Sequence, residues 1–204
     1  TPAGSGDYAS AARGAGDVNG DGYDDVIVGE YSYYDSVAGH VGRALVYYGS
    51  AGGLGATPGW SVMGTSSSGQ FGRSVDGAGD VNGDGYGDVI VGAPLYPGGT
   101  GGGALFVFYG SASGLAAAPA WSVVSAANQN LGMIVRGLGD VNGDGYADVG
   151  ATTFWPSTTS PAYAYYGSAS GPAATPSWTL DGLDRVRAAA AGDVNGDGYD
   201  DVIV

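Results

Sequence analysis

The chain has 204 residues, 42 of them Gly, with 20 acidic side chains against six basic ones, a formal charge of −14, one His and no Cys. Without Cys, disulfides, thiolate metal sites and thiol catalysis are excluded, and Gly at this level without a three-residue period excludes collagen and points to tight turns between short strands. The basic residues, Arg13, Arg43, Arg73, Arg136, Arg185 and Arg187, are scattered without a basic run, which sets nucleic acid aside as a partner, and no apolar run reaches the length of a membrane span.

In chain order, a strand of small and apolar residues, Tyr8 to Ala15, leads into GDVNGDGYDDVIVG at Gly16 to Gly29. The string returns as GDVNGDGYGDVIVG at Gly79 to Gly92, GDVNGDGYADV at Gly139 to Val149 and GDVNGDGYDDVIV at Gly192 to Val204, at intervals of about 53 to 63 residues. Counted from its first Asp, each loop offers oxygen at positions 1, 3, 5 and 9, with Gly at 6 and a Tyr at 7 whose backbone carbonyl is a further donor. A hard cation needs this supply of carboxylates, amide oxygen and carbonyl. The expected Ca²⁺ ligands are Asp17, Asn19, Asp21, Tyr23 (backbone) and Asp25; Asp80, Asn82, Asp84, Tyr86 (backbone) and Asp88; Asp140, Asn142, Asp144, Tyr146 (backbone) and Asp148; and Asp193, Asn195, Asp197, Tyr199 (backbone) and Asp201.

Position 12 is Val28, Val91, Ala151 and Val204, not the Glu of an EF-hand, and VIVG after Asp25 and Asp88 reads as a buried strand and not a helix. Asn-Gly-Asp-Gly alone also makes a tight hairpin without any metal. Three carboxylates brought together four times nevertheless repel one another, which favours a cation, up to four Ca²⁺ in all.

The remaining pieces repeat as well. First strands are expected at Phe71 to Ala78, Leu131 to Leu138 and Arg185 to Ala191, and second strands at Asp25 to Gly29, Asp88 to Ala93, Asp148 to Thr152 and Asp201 to Val204. Third strands run from Arg43 to Tyr48, Ala104 to Tyr109 and Ala162 to Tyr166, closed by Gly49, Gly110 and Gly167. Fourth strands open with Trp60, Trp121 and Trp178, whose recurrence reads as packing between units. The units are 1–64, 65–125, 126–181 and a partial 182–204. Four-stranded antiparallel units repeated radially are propeller blades, so the fold class is all-β with three full blades and a half. Such a set does not close a ring, so the chain is either a fragment or joins a second copy as a homodimer of about seven blades.

Phe71-Gly72 before the second loop and Gly92-Ala93-Pro94 after it spell the two halves of the FG-GAP motif. The chain resembles a run of FG-GAP repeats, the family that builds the seven-bladed propeller at the head of integrin α subunits. The other units depart from the motif, with Tyr8-Ala9 and Gly29-Glu30-Tyr31 in the first, Leu131-Gly132 and Thr152-Thr153-Phe154 in the third, and Asp184-Arg185 in the fourth. The resemblance implies structural Ca²⁺ on the face away from a ligand-binding surface.

On the rim opposite the loops the expected recognition surface holds Tyr31, Tyr33, Tyr34, Asp35, His40, Tyr96, Pro97, Phe154 and Trp155, suited to a protein or carbohydrate ligand or simply covering the blade ends. His40 is the only His and Glu30 the only Glu, so no catalytic triad or carboxylate pair can be assembled and an enzyme is not expected. The expected function is a calcium-stabilised adhesion or recognition module outside the cell, where calcium is millimolar. The alternatives are a purely structural self-assembling module and a non-catalytic part of a secreted hydrolase.

Overall fold

The computed structural model describes residues 9–99, 101–125, 129–153, 160–181 and 187–204. Its strands are β1 (Ala11–Gly16), β2 (Asp25–Glu30), β3 (Tyr34–Asp35), β4 (Gly39–His40), β5 (Arg43–Tyr47), β6 (Trp60–Met63), β7 (Ser74–Gly79), β8 (Asp88–Ala93), β9 (Ala104–Phe108) and β10 (Trp121–Val124). They continue with β11 (Ile134–Gly139), β12 (Asp148–Thr152), β13 (Ala162–Tyr165), β14 (Trp178–Leu180), β15 (Ala189–Gly192) and β16 (Asp201–Ile203). Three antiparallel meanders, β1-β2-β5-β6, β7-β8-β9-β10 and β11-β12-β13-β14, stand beside a two-stranded sheet, β15-β16. These are three blades and a half of a propeller, as the repeat count predicts. Neighbouring blades meet along their first strands, β1 against β7, β7 against β11 and β11 against β15.

Burial explains why second strands carry apolar residues at successive positions. β8, DVIVGA, is buried throughout because a blade covers each of its faces, whereas β2, DVIVGE, alternates buried and half-buried because one face is covered. One core therefore lies between the first two blades, with Ile27, Val46 and Trp60 against Val75, Val91 and Phe108. A second lies between the next two, with Ile90, Leu105 and Val107 against Val135, Val149 and Tyr165.

The tryptophans act as the repeat suggests. Trp60 meets Phe108 edge-on at 5.1 Å and donates its indole N–H to the Ala116 carbonyl at 3.0 Å, both in the next blade. Trp121 meets Tyr165 in the same way at 5.2 Å, while Trp178 is 41% exposed.

Three differences from the sequence expectation have local causes. First strands begin later than Phe71 and Leu131, because Gly72 and Gly132 are left-handed, at φ 80° and 89°, and turn the chain before β7 and β11 can pair. Third strands end one residue before Tyr48, Tyr109 and Tyr166. The β2–β5 connection carries its own small hairpin, β3-β4, in which Asp35 caps the turn by accepting the N–H groups of Val37 and Ala38. The start expected at Arg185 lies outside the described residues.

The arginines that read as scattered are not scattered in space. Arg13, Arg73, Arg136 and Arg187 line one cavity of about 550 Å³ along the first strands. Radial stacking superimposes positions that are far apart in sequence, so arginines that form no basic run along the chain gather at one cavity.

The two halves of the FG-GAP motif touch across the blade boundary. A Cβ on Gly92 would lie 2.1 Å from the Gly132 carbonyl oxygen, and one on Gly29 2.2 Å from that of Gly72. Such distances leave no room for a side chain, and the obstacle is backbone. Gly92→Ala is therefore expected to cost about 2 to 3 kcal/mol in urea denaturation. Gly14→Ala, where a Cβ meets nothing within 4 Å, is expected to stay within about 0.5 kcal/mol of the parent.

Candidate metal centre

Each Asp-rich loop opens on a bulge. The β7–β8 register shifts between Gly77 and Gly79, and Gly79 takes φ 74°. The same shift recurs at Gly14/Gly16, Gly137/Gly139 and Ala190/Gly192. An unpaired residue followed by a left-handed Gly bends the strand and turns the next residue, the first Asp, into the loop.

Inside the second loop, Asp80 Oδ1 accepts the N–H groups of Gly83 at 2.7 Å and Asp84 at 3.0 Å, and Oδ2 accepts that of Gly85 at 2.8 Å. Asn82 Oδ1 accepts from Asp84 at 3.0 Å, and Asp84 Oδ1 from Tyr86 at 3.0 Å. The third and fourth loops repeat these bonds through Asp140, Asn142 and Asp144 and through Asp193, Asn195 and Asp197, and in the first loop Asp17 accepts from Asp21 and Gly22, Asn19 from Asp21 and Asp21 from Tyr23. Among the described residues no group of three or more His, Cys, Asp or Glu side chains is arranged as a cation cage.

Position 9 is different. Asp25, Asp88 and Asp148 are buried, and each carboxylate ties its loop to the end of the third strand. Asp88 Oδ2 accepts Val81 N–H at 2.9 Å and Oδ1 accepts Gly110 N–H at 2.9 Å. Asp25 does the same with Val18 and Gly49, and Asp148 with Val141 and Gly167. Asp201 accepts Val194 N–H at 2.9 Å, in a unit whose described residues hold no third strand. Gly49, Gly110 and Gly167, expected only as turns, are thus donors to the loop.

Burial pushes the Asp88 carboxyl up to about 7, against the lowering effect of the Gly110 and Val81 N–H groups, and the negative charges of Asp84 and Asp80 raise it further. Asp148 is pushed up to about 6 by burial, with Asp144 and Asp140 adding to the rise, and Asp25 is raised by burial with help from Asp21 and Asp17. The Asp at positions 1 and 5 thus act on the buried Asp at position 9 as like charges.

The loops also interlock around one rim. Gly87 N–H donates to the Asp17 carbonyl at 2.9 Å, Ala147 to Asp80 at 3.0 Å and Asp200 to Asp140 at 2.9 Å. The Tyr at position 7 lies over the Gly at position 4 of the preceding loop. A Cβ on Gly20 would come 2.6 Å from the Tyr86 ring, and one on Gly83 2.6 Å from that of Tyr146. This ring role was missed from sequence, although an aromatic and a Gly recurring together in every loop were its signal.

On the opposite rim, the Arg43 guanidinium lies 3.9 Å from the Tyr33 ring centre and pairs with Glu30, and that of Arg73 lies 4.6 Å from the Tyr31 ring. Tyr96 packs against the first core and meets Phe106 at 5.6 Å. Tyr34 and His40 are exposed and meet edge-on at 5.0 Å across the β3-β4 hairpin. Phe154 and Trp155 lie outside the described residues.

Radially stacked meanders carrying one Asp-rich loop each define a β-propeller repeat protein. The chain belongs to the FG-GAP repeat family: the FG-GAP repeat pattern matches residues 14–47 and 71–108, and the FG-GAP-like repeat pattern residues 140–204. It is 36% identical over 161 residues to integrin alpha pat-2 of Caenorhabditis briggsae, covering 71% of this chain and 13% of that protein. It is 35% identical over 157 residues to integrin alpha-PS2 of Drosophila melanogaster, covering 71% of this chain and 11% of that protein. To integrin alpha-IIb of Homo sapiens it is 37% identical over 141 residues, 65% of this chain and 13% of that one. The chain thus spans a small part of the length of the curated relatives it matches. No helix among the described residues is long and apolar enough to cross a membrane.

The two-donor arrangement at position 9 sets an order of costs. Asp88→Ala strands two buried N–H groups and is expected to destabilise by about 2 to 5 kcal/mol, while Asp201→Ala, which frees one exposed N–H, is expected to cost less than about 1 kcal/mol. Thermal denaturation in calcium-free buffer measures both.

Proposed function

We propose that the chain is a calcium-stabilised propeller module of extracellular adhesion and recognition, binding one Ca²⁺ in each loop, up to four. What supports it is the recurrence of oxygen-bearing side chains at positions 1, 3, 5 and 9 of each loop, together with a buried position-9 Asp in the first three loops, whose carboxyl is raised by burial and further by the Asp at positions 1 and 5. Asp17, Asn19, Asp21 and Asp25, with the Tyr23 carbonyl, would hold the ion in the first loop, and the matching residues would do so in the others. When bound, the ion supplies the positive charge that lets all three carboxylates stay ionised. The chain's own part is to hold those oxygens on an interlocked rim: in the second loop Asp80 Oδ1 already accepts two N–H groups, while Asp80 Oδ2 and the oxygens of Asp84 and Asp88 accept one each and keep a second lone pair for an ion. The similarity to integrin α chains supports adhesion, and supports a binding protein over an enzyme, with a protein or carbohydrate ligand met on the rim that presents Tyr34 and His40.

A homodimer that completes the ring is the second reading. A second copy and further blades of a longer chain would both cover the apolar faces at the ends of the described arc, where Val26 and Val28 are half-buried and Ile203 and Val204 are 63% and 53% exposed. The purely structural module differs in having no rim ligand, so that Tyr34→Ala would change no pull-down.

Calcium added to chelator-treated chain is expected to raise the melting temperature, each site contributing about 2.7 kcal/mol at a free concentration a hundredfold above Kd. Asp80→Asn with Asp84→Asn is expected to remove one equivalent in calorimetry, whereas a melting temperature indifferent to calcium contradicts the reading. Light scattering in calcium is expected to give twice the 20.0 kDa chain mass if two copies close the ring, and a strict monomer rules the dimer out.

A further inference from the structure

The cavity along the first strands has a charge opposite to that of the chain around it. Four of the six basic residues, Arg13, Arg73, Arg136 and Arg187, line it in a chain of formal charge −14. The acidic residue described beside them is Asp76, whose carboxylate lies 3.8 Å from Arg136 and also feels the charge of Arg13. Arg13, Asp76 and Arg136 occupy the same register position in three successive blades, four residues before the first loop Asp, so the stacking sets Arg, Asp and Arg side by side.

Two guanidiniums are held by the backbone. Arg13 Nη1 donates to the Ala12 carbonyl at 2.8 Å and Arg136 Nη1 to that of Val135 at 2.8 Å. These are the same bond made from equivalent positions two blades apart. A third, Arg73, is stacked on Tyr31. Each fork has five N–H donors in a plane, so one backbone bond orients it and leaves most of its donors for a ligand. Four like charges around one cavity repel one another, and a single carboxylate offsets only part of that repulsion.

We infer that this cavity binds a small oxyanion carrying two or more carboxylate or phosphate groups, gripped by Arg13 and Arg136 with Arg187 and Arg73 supplying further positive charge. Guanidinium forks match the two oxygens of a carboxylate or phosphate. A volume of about 550 Å³ is that of a small-molecule site. The inference stands apart from the calcium and adhesion reading, because the described lining of the cavity includes no loop carboxylate and neither Tyr34 nor His40.

Isothermal titration of the full 204-residue chain in saturating calcium tests it, with tricarballylate as probe, a tricarboxylate without the hydroxyl that makes citrate a strong calcium ligand. Submillimolar binding that weakens with added NaCl is expected. Arg13→Gln, at an exposed residue, is expected to weaken binding severalfold with an unchanged melting temperature in calcium, Arg13→Gln with Arg136→Gln to weaken it at least tenfold, and Asp76→Asn to tighten it severalfold. Arg187→Gln, exposed and outside any strand, is expected to weaken binding about threefold even if the double variant does not fold. Inorganic sulfate and a hexaglutamate peptide serve as comparison probes. No binding of any probe, or binding untouched by the arginine changes, overturns the inference. Hexaglutamate binding without tricarballylate binding overturns the small-molecule assignment in favour of an acidic segment.

Discussion

The fold depends on a buried carboxylate that accepts two backbone N–H groups from different parts of its blade. Asp88 joins Val81, inside the loop, to Gly110, past the end of the third strand, and Asp25 and Asp148 make the equivalent ties. Burial alone would make such a group a liability, and it raises the Asp88 carboxyl to about 7. Two N–H donors offset part of that cost, and a cation in the loop would offset the repulsion that remains. One side chain therefore couples the shape of the loop to the packing of the blade.

The coupling extends from blade to blade. The Asp17 carbonyl receives an N–H from the next loop and the Tyr86 ring lies over Gly20, so an ordered loop is a support for its neighbour. The glycines of the two motif halves do the same work on the other side of the blade, where Gly92 meets the Gly132 carbonyl. The repeat thus encodes contacts between units as much as the units themselves, which is the behaviour expected of a stacked array.

Most of the strands were legible in the sequence because their signals are local. The VIVG runs, the Tyr-Gly ends and the Trp openings each mark one element, and the structure shifts their boundaries by a few residues. The extended Phe71-Gly72 start failed because a left-handed Gly is not visible in an apolar pattern. The donor role of Gly110 and the stacking of Tyr86 on Gly20 were not legible, since each joins residues that are far apart in sequence or in different units. The same reason hid the arginine cavity: Arg13 and Arg136 are far apart along the chain, and only radial stacking makes them neighbours.

Amide hydrogen exchange, read residue by residue in calcium-free buffer, tests the central tie most directly. Val18, Val81 and Val141, with Gly49, Gly110 and Gly167, are expected to exchange as slowly as the core of β8, while the exposed Val194, held by the half-buried Asp201, exchanges far faster. If the six amides exchange at the rate of Val194, the carboxylates do not hold loop and strand together, and the account of how these blades are built is wrong.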